Sequence, residues 1–413
     1  MSIRHFPIFI TIFLLAISCR QTPVKPSSRV LKEPVYGEKA MVVTEHPIST
    51  QVGIDILKKG GNAFDAAVAI QFAEAVVIPF AGNIGGGGFM VARKSDGSVL
   101  TLDYREKAPA AAHRDMYLDS AGNVITGLSW LGHLAAGVPG SVHGMFTLHD
   151  SLGSMPVAEL IQPAIDLARK GFPITEIMAD GLNAKLPDIR EKSTMPNPFT
   201  AKESWQKGDM LIQPDMAHTL ELIRDNGIAG FYEGETADKI VAEMERGSGI
   251  MTHEDLKNYR AVWREPIRGK YREYDVVSMP PPSSGGIALV QLLELIEPFD
   301  IGQYGFHSPE AIHLMVEAER RVYADRAEHL GDNDYYPVPA SGLLEEEYLD
   351  DRMANFSPDS ATDSEVISAG TPAPPESEET THFSIVDPWG NAVAITTTIN
   401  GGYGSCVVVG EAG

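Results

Sequence analysis

Thr380 and Thr398 are the residues around which nucleophilic chemistry can be built. A threonine hydroxyl attacks a carbonyl poorly unless a base removes its proton, and no Ser/His/Asp pattern in the chain supplies that base. The α-amine of the same residue would serve. Its unperturbed pKa of about 7.7 to 8.0 lies near working pH, and it sits beside the hydroxyl it must deprotonate. Thr380 carries such an amine only after the Glu379–Thr380 bond has been cut. The chemistry implied is self-cleavage between Glu379 and Thr380, followed by acyl transfer through the exposed threonine.

Two strands would position this pair. Phe383-Ser384-Ile385-Val386 and Ala392-Val393-Ala394-Ile395-Thr396 flank the turn Asp387-Pro388-Trp389-Gly390-Asn391. With the turn centred on Trp389, antiparallel partners have numbers that sum to 778. Thr380 then faces Thr398, and His382 faces Thr396, within a slip of a residue or two at a bulge. Thr398 would hydrogen-bond the Thr380 hydroxyl and hold its rotamer. Upstream, beyond Tyr348, the chain is acidic and rich in Ser, Thr and Pro, which predicts a flexible linker over about 349–379. Such a linker can bring the Glu379 carbonyl to the Thr380 hydroxyl and then swing away. Taken alone, the hairpin is also what β-propensity would produce with its threonines doing no chemistry.

Earlier in the chain, apolar residues at helical spacing predict a helix over Thr50–Lys59, ended by Gly60-Gly61. Asn62 caps a second helix rich in alanine. Gly82 to Gly88 follow, then strands at Phe89–Ala92 and Val99–Tyr104 around the turn Ser95-Asp96-Gly97. The region from Met155 to Val241 reads as mostly helical. Thr252 and Asp255 form a capping box. A strand is expected over Arg268–Met279, and helices over Ile287–Ile296 and from about Pro309 to Leu330. Two cysteines, Cys19 and Cys406, leave no intramolecular disulfide in a processed chain, and Cys406 reads as a small hydrophobe buried in a strand.

The 413 residues carry a formal net charge of -23, which argues against nucleic acid and anionic membrane surfaces as partners. Arg4 and His5 precede an uncharged run from Pro7 to Ser18, too short to span a bilayer but right for a signal segment over 1–18. Ala16-Ile17-Ser18-Cys19 looks like the lipobox of bacterial lipoproteins, although Ala16 stands where leucine is commoner; plain signal cleavage is the alternative. Acylation at Cys19 would make 19–32 a tether and the product an exported, periplasmic, membrane-held lipoprotein.

Taken together, several segments carry a family resemblance. Thr380-Thr381-His382-Phe383-Ser384-Ile385-Val386-Asp387, Gly390-Asn391-Ala392-Val393-Ala394 and Thr396-Thr397-Thr398-Ile399-Asn400 resemble the start of the small subunit of γ-glutamyltransferases. Asp55 to Ala63, Gly85 to Met90, Tyr104 to Pro109, Gly137 to Ser141, Met279 to Gly286 and Tyr323 to Arg326 fall in that family's order. The resemblance implies an α+β fold, the Ntn-hydrolase αββα sandwich of two sheets between helices. It makes 33–379 the large-subunit region and 380–413 the start of the small subunit. It also implies Thr380 as the nucleophile, a γ-glutamyl ester upon it, and water, amino acids or peptides as acceptors. Glutathione and similar γ-glutamyl compounds would be the donors, with no cofactor and no metal. Arg105 matches the family arginine that grips the donor's α-carboxylate, a task suited to a planar guanidinium; otherwise it would be a solvated ion pair beside Asp103 and Glu106. Asn400 matches a substrate-binding asparagine that contacts the donor's amino end. Gly401-Gly402 depart from the bulkier residues usual there.

Other signals are discounted. Gly85 to Gly88 lack the G-x-G-x-x-G spacing, and strand rather than helix follows them, so they do not make a nucleotide loop. Ser283-Ser284-Gly285-Gly286 lack the G-x-S-x-G elbow and read as a turn and helix cap. The histidines show no metal-ligand spacing. The family's small subunit extends past the strand-like ending Val407-Val408-Val409, so the chain is expected to be a fragment lacking the oxyanion-hole donors. An acylase acting on other amides and an inactive binding relative are the competing functions.

Overall fold

Asn62 shows how local chemistry starts an element. Its side chain accepts from the N–H groups of Phe64 and Asp65 (2.9 Å each), while the Asp65 carboxylate accepts from the Asn62 N–H at 2.9 Å. This closed capping box opens a helix that is buried along its whole length. A computed structural model of the protein describes residues 34–370 and 381–413. Residues 34–38 belong to a separate N-terminal unit and are exposed, and everything described from Lys39 on forms one unit.

That unit begins with β1 (Met41–Val43), α1 (Pro47–Lys58), α2 (Ala63–Val77), β2 (Gly87–Arg93) and β3 (Val99–Asp103). Next come α3 (Ser141–Leu152), α4 (Val157–Lys170), β4 (Phe172–Pro173), α5 (Glu176–Lys192), β5 (Met210–Leu211) and α6 (Pro214–Asn226). They lead to α7 (Ala229–Tyr232), α8 (Gly234–Arg246), α9 (His253–Asn258), β6 (Val262–Arg264), β7 (Ile267–Tyr271) and β8 (Tyr274–Ser278). The last elements are α10 (Gly285–Ile296), α11 (Pro309–His329), α12 (Ala340–Leu343), α13 (Glu346–Met353), β9 (Thr381–Val386) and β10 (Ala392–Thr398).

Six strands make one antiparallel sheet in the order β1-β9-β10-β2-β3-β6. The β9–β10 register pairs His382 with Thr396 and Thr381 with Thr397, so the partner numbers sum to 778 as expected and no bulge intervenes. Alternation sends Thr381, Phe383, Ile385, Val393, Ile395 and Thr397 into the core on the side of α2. His382, Ala394, Thr396 and Thr398 face the other way.

Asp387 fastens this hairpin. One carboxylate oxygen accepts from the N–H groups of Trp389 and Asn391, and the other from the Asn391 side chain and the Ala63 N–H at the start of α2. Gly86 and Gly88 have a different role from phosphate binding: a Cβ at Gly86 would collide with the Thr398 carbonyl, and one at Gly88 with the Thr396 carbonyl. Glycine lets β2 and its approach lie directly against β10.

Three expectations change. The strand expected over Arg268–Met279 is the hairpin β7–β8, turned at Arg272 with φ 54°; the alternating pattern continues through the turn, which hides it. The strand-like ending 407–409 forms no strand, and Cys406 is buried in a turn at φ 58°. The linker is the third: 349–353 belong to α13, and 354–370 are docked on α11. The Thr362 hydroxyl donates to Glu317 at 2.6 Å, and Arg321, 1% exposed, reaches Glu317 and Asn355. Asp325 accepts from the Gly370 N–H, and His329 meets the Gly370 carbonyl, each at 2.9 Å. Polar groups on α11, with the Phe356 ring packed 5.2 Å from that of Phe299, hold this acidic stretch, which composition alone does not foretell. Residues 371–379 lie outside the described residues.

The buried helix α2 carries one group whose charge opposes folding. Glu74 is fully buried; the Ser49 hydroxyl donates to one of its oxygens at 3.3 Å, and the other has no partner among the described residues. Burial pushes its carboxyl up to about 8, with the Ser49 bond opposing the shift and Glu45 adding to it. Because the folded value is raised, the stabilising protonated state is complete below the unfolded value near 4.5 and is lost as pH rises through about 8. The slope is at most roughly 1.4 kcal/mol per pH unit. Thermal unfolding should therefore show Glu74→Gln matching the wild type at pH 5 and exceeding its apparent Tm by several degrees at pH 8. Parallel Tm profiles would contradict this.

Candidate active site

The sheet face turned away from α2 is the floor of a cavity of about 740 Å³. His382, Thr396 and Thr398 project from this floor, Arg105 enters from the segment after β3, and Asn400 lies just past the end of β10. Three of the residues singled out from sequence, Arg105, Thr398 and Asn400, thus share one cavity. Thr380, Glu379 and Cys19 lie outside the described residues.

Each side chain is set by its own neighbours. Asp103 could have neutralised Arg105 but is committed elsewhere: one oxygen accepts from the Arg105 backbone N–H at 2.9 Å, the other from Arg264 at 2.8 Å. Arg264 also makes two 2.8 Å bonds to Asp334. The Arg105 guanidinium consequently has no carboxylate partner among the described residues, and its nearest aromatic neighbour is the Phe89 ring, 5.8 Å from Cζ to centroid. A planar guanidinium at a cavity wall is suited to meeting a carboxylate through two parallel hydrogen bonds. Glu106, beside it, has its carboxyl raised by burial, with the Arg105 charge among the effects opposing that shift.

Asn400 adopts φ 43°, a left-handed conformation that asparagine tolerates, and its N–H donates to the Thr398 hydroxyl at 3.1 Å. The turn thereby orients the Thr398 side chain. His382 contacts the hydroxyls of Thr396 (2.9 Å) and Ser384 (3.1 Å) along the same face. Burial lowers its pKa, which favours the neutral ring. No carboxylate among the described residues orients it, so it does not complete a serine triad.

Sequence reasoning missed the residues behind this face. Asn83 is buried, and its side chain binds five groups. Its Nδ2 donates to Ala81 O (3.0 Å), Thr397 Oγ1 (3.1 Å) and Thr398 O (3.0 Å), while its Oδ1 accepts from Gly86 N (2.9 Å) and Ser141 Oγ (2.6 Å). Gln71 adds a 3.1 Å bond to Thr397 Oγ1, which itself donates to the Gly87 carbonyl at 2.9 Å. The available signal was a lone amide between an apolar helix and a glycine run. Among the described residues no group of three or more His, Cys, Asp or Glu side chains is arranged to hold a metal ion.

The comparisons with known proteins agree with this geometry. The family model for gamma-glutamyltranspeptidase matches residues 49–413. The glutathione hydrolase proenzyme of Escherichia coli is 45% identical over 402 residues, covering 95% of this chain and 68% of that protein. The acylase ACY 1 proenzyme of Pseudomonas sp. (strain V22) is 37% identical over 390 residues, covering 91% and 68%. The crystal structure of Helicobacter pylori gamma-glutamyltranspeptidase superposes with a TM-score of 0.80 at 42% identity, over 82% of this chain and 97% of that one. On its sequence, its fold and the cavity these residues build, the chain belongs to the γ-glutamyltranspeptidase family of Ntn hydrolases.

Proposed function

We propose that the protein is a self-cleaving γ-glutamyltransferase and hydrolase that takes the γ-glutamyl group of glutathione or a similar donor and passes it to water, an amino acid or a peptide. The observation that carries this reading is that the Arg105 guanidinium, with no ion pair among the described residues, lines the cavity that Thr398 and Asn400 also line. The β9–β10 register pairs Thr381 with Thr397, in keeping with the sequence spacing that expects Thr380 to face Thr398. The Thr380 hydroxyl first attacks the Glu379 carbonyl, and hydrolysis of the resulting ester leaves a Glu379 carboxylate and a free Thr380 amine. That amine takes the hydroxyl proton as the oxygen attacks the donor's γ-carbonyl. The tetrahedral adduct collapses, the donor's amine departs with the proton, and a γ-glutamyl ester remains on Thr380. Water or an acceptor amine then attacks the ester and restores the hydroxyl.

Arg105 binds the α-carboxylate and Asn400 the amino end of the γ-glutamyl group. An acylase cutting amides whose acyl group has no α-carboxylate would leave Arg105 unmatched, which is why the γ-glutamyl reading is preferred. The 1–18 signal segment would export the enzyme, and lipidation at Cys19 would hold it to a membrane, with the 19–32 segment as tether.

Intact mass of the purified protein should give two polypeptides broken before Thr380, and Thr380→Ala should give one; a single uncut wild-type chain would sink the mechanism. Arg105→Ala should raise donor KM roughly 10- to 100-fold, the worth of charge-assisted hydrogen bonds, with a much smaller change in kcat; an unchanged KM removes the assignment. Cys19→Ala should move the protein from the membrane fraction to the soluble one, and retention in the membrane would end the lipoprotein proposal.

A further inference from the structure

We propose that Asn83 is a positioning residue for the reaction, setting the end of β10 so that the Thr398 hydroxyl stands where the nucleophile needs it. The proposal rests on the reading of Thr380 and Thr398 given above. The β10–β2 ladder ends at the pair Thr398–Gly87, and beyond it the chain turns at Asn400 and Gly401, both at positive φ. A strand end is where pairing frays and where a catalytic hydroxyl would drift. At this point the Asn83 amide substitutes for the missing ladder partner by donating to the Thr398 carbonyl at 3.0 Å. It donates to the neighbouring Thr397 hydroxyl at 3.1 Å as well. The Thr398 residue is thus held by its carbonyl from one side and by the Asn400 N–H on its hydroxyl from the other.

The orientation of the amide is fixed by chemistry. The Gly86 N–H can only donate, so the atom it meets is Oδ1; the carbonyls of Ala81 and Thr398 can only accept, so the atom they meet is Nδ2. No flip satisfies this surrounding. The Ser141 hydroxyl, at the first turn of α3, adds a 2.6 Å bond to Oδ1 and anchors the amide to a second element. Asn83, Gln71 and Ser141 are all buried, 5%, 0% and 1% exposed, so water does not compete for these bonds. Asn83 also lines the cavity, but its polar atoms are used up on the protein, which makes it a positioning residue rather than one that binds substrate.

Asn83→Asp is nearly isosteric and turns the donor toward Thr398 into an acceptor facing a carbonyl. The first-order rate constant of self-cleavage, followed by gel on pulse-labelled full-length precursor, is the first readout, because it does not scale with the fraction of folded chain. The constant should fall at least roughly 10-fold, and kcat should fall with it while donor KM changes less than about 3-fold. Ser141→Ala, which loosens the amide without touching β10, should give the same pattern at a smaller size and keeps the test decisive if Asn83→Asp does not fold. The defect should be non-additive with Thr398→Ala and additive with Arg105→Ala. Wild-type self-cleavage rates in both variants, or additivity with Thr398→Ala, would overturn the proposal. A wild-type precursor that never cleaves would instead overturn the underlying reading of Thr380.

Discussion

The position of β10 between β9 and β2 is the constraint on which the rest depends. A strand bonded on both edges cannot slide by one residue without turning its whole cavity face into the core. Here such a slip would bury His382, Thr396 and Thr398 and expose Phe383, Ile385, Val393 and Ile395. The register is locked three times over. Asp387 closes the turn and ties it to the start of α2, the buried Thr397 hydroxyl is tied to Gly87 and met by Asn83 and Gln71, and the glycines at 86 and 88 admit no side chain that would hold β2 away. Thr381 adds an anchor at the far end, where its hydroxyl donates to Glu45 at 2.6 Å.

A second constraint is electrostatic and concerns what Arg105 does not do. In a chain carrying 56 acidic against 33 basic residues, an arginine with no carboxylate partner among the described residues is a conspicuous arrangement. Arg264 makes it possible by drawing Asp103 and Asp334 to itself, which joins the end of β3 to β6 and to the loop after α11. Under the proposed function, a ligand's carboxylate would supply the counter-charge to Arg105 on binding.

Much of this was legible in the sequence where the governing interaction is local. The Asn62 cap, the Thr252 capping box and the β9–β10 pairing follow from residues a few positions apart, and the structure has them as read. Contacts between distant segments were not legible. Nothing near Asn83 says that its amide will meet Thr398, 315 residues on. Likewise, the acidic composition of 354–370 gives no hint that Glu317, Arg321 and Asp325 on α11 will hold it. The packing of the glycines at 86 and 88 needs the position of β10, which only the fold supplies. Arg105 was legible as a candidate from resemblance, whereas its freedom from Asp103 required seeing Arg264.

The proposed function requires a γ-glutamyl ester on Thr380. Acid quenching of the protein during turnover of a γ-glutamyl donor, followed by proteolysis and mass analysis, tests it most directly. The account predicts that the peptide beginning at Thr380 gains the mass of one γ-glutamyl group, with the modification on the threonine hydroxyl and absent from Thr380→Ala. Turnover with the modification on another residue, or with none on Thr380 under conditions where deacylation is blocked by a slow acceptor, would contradict it.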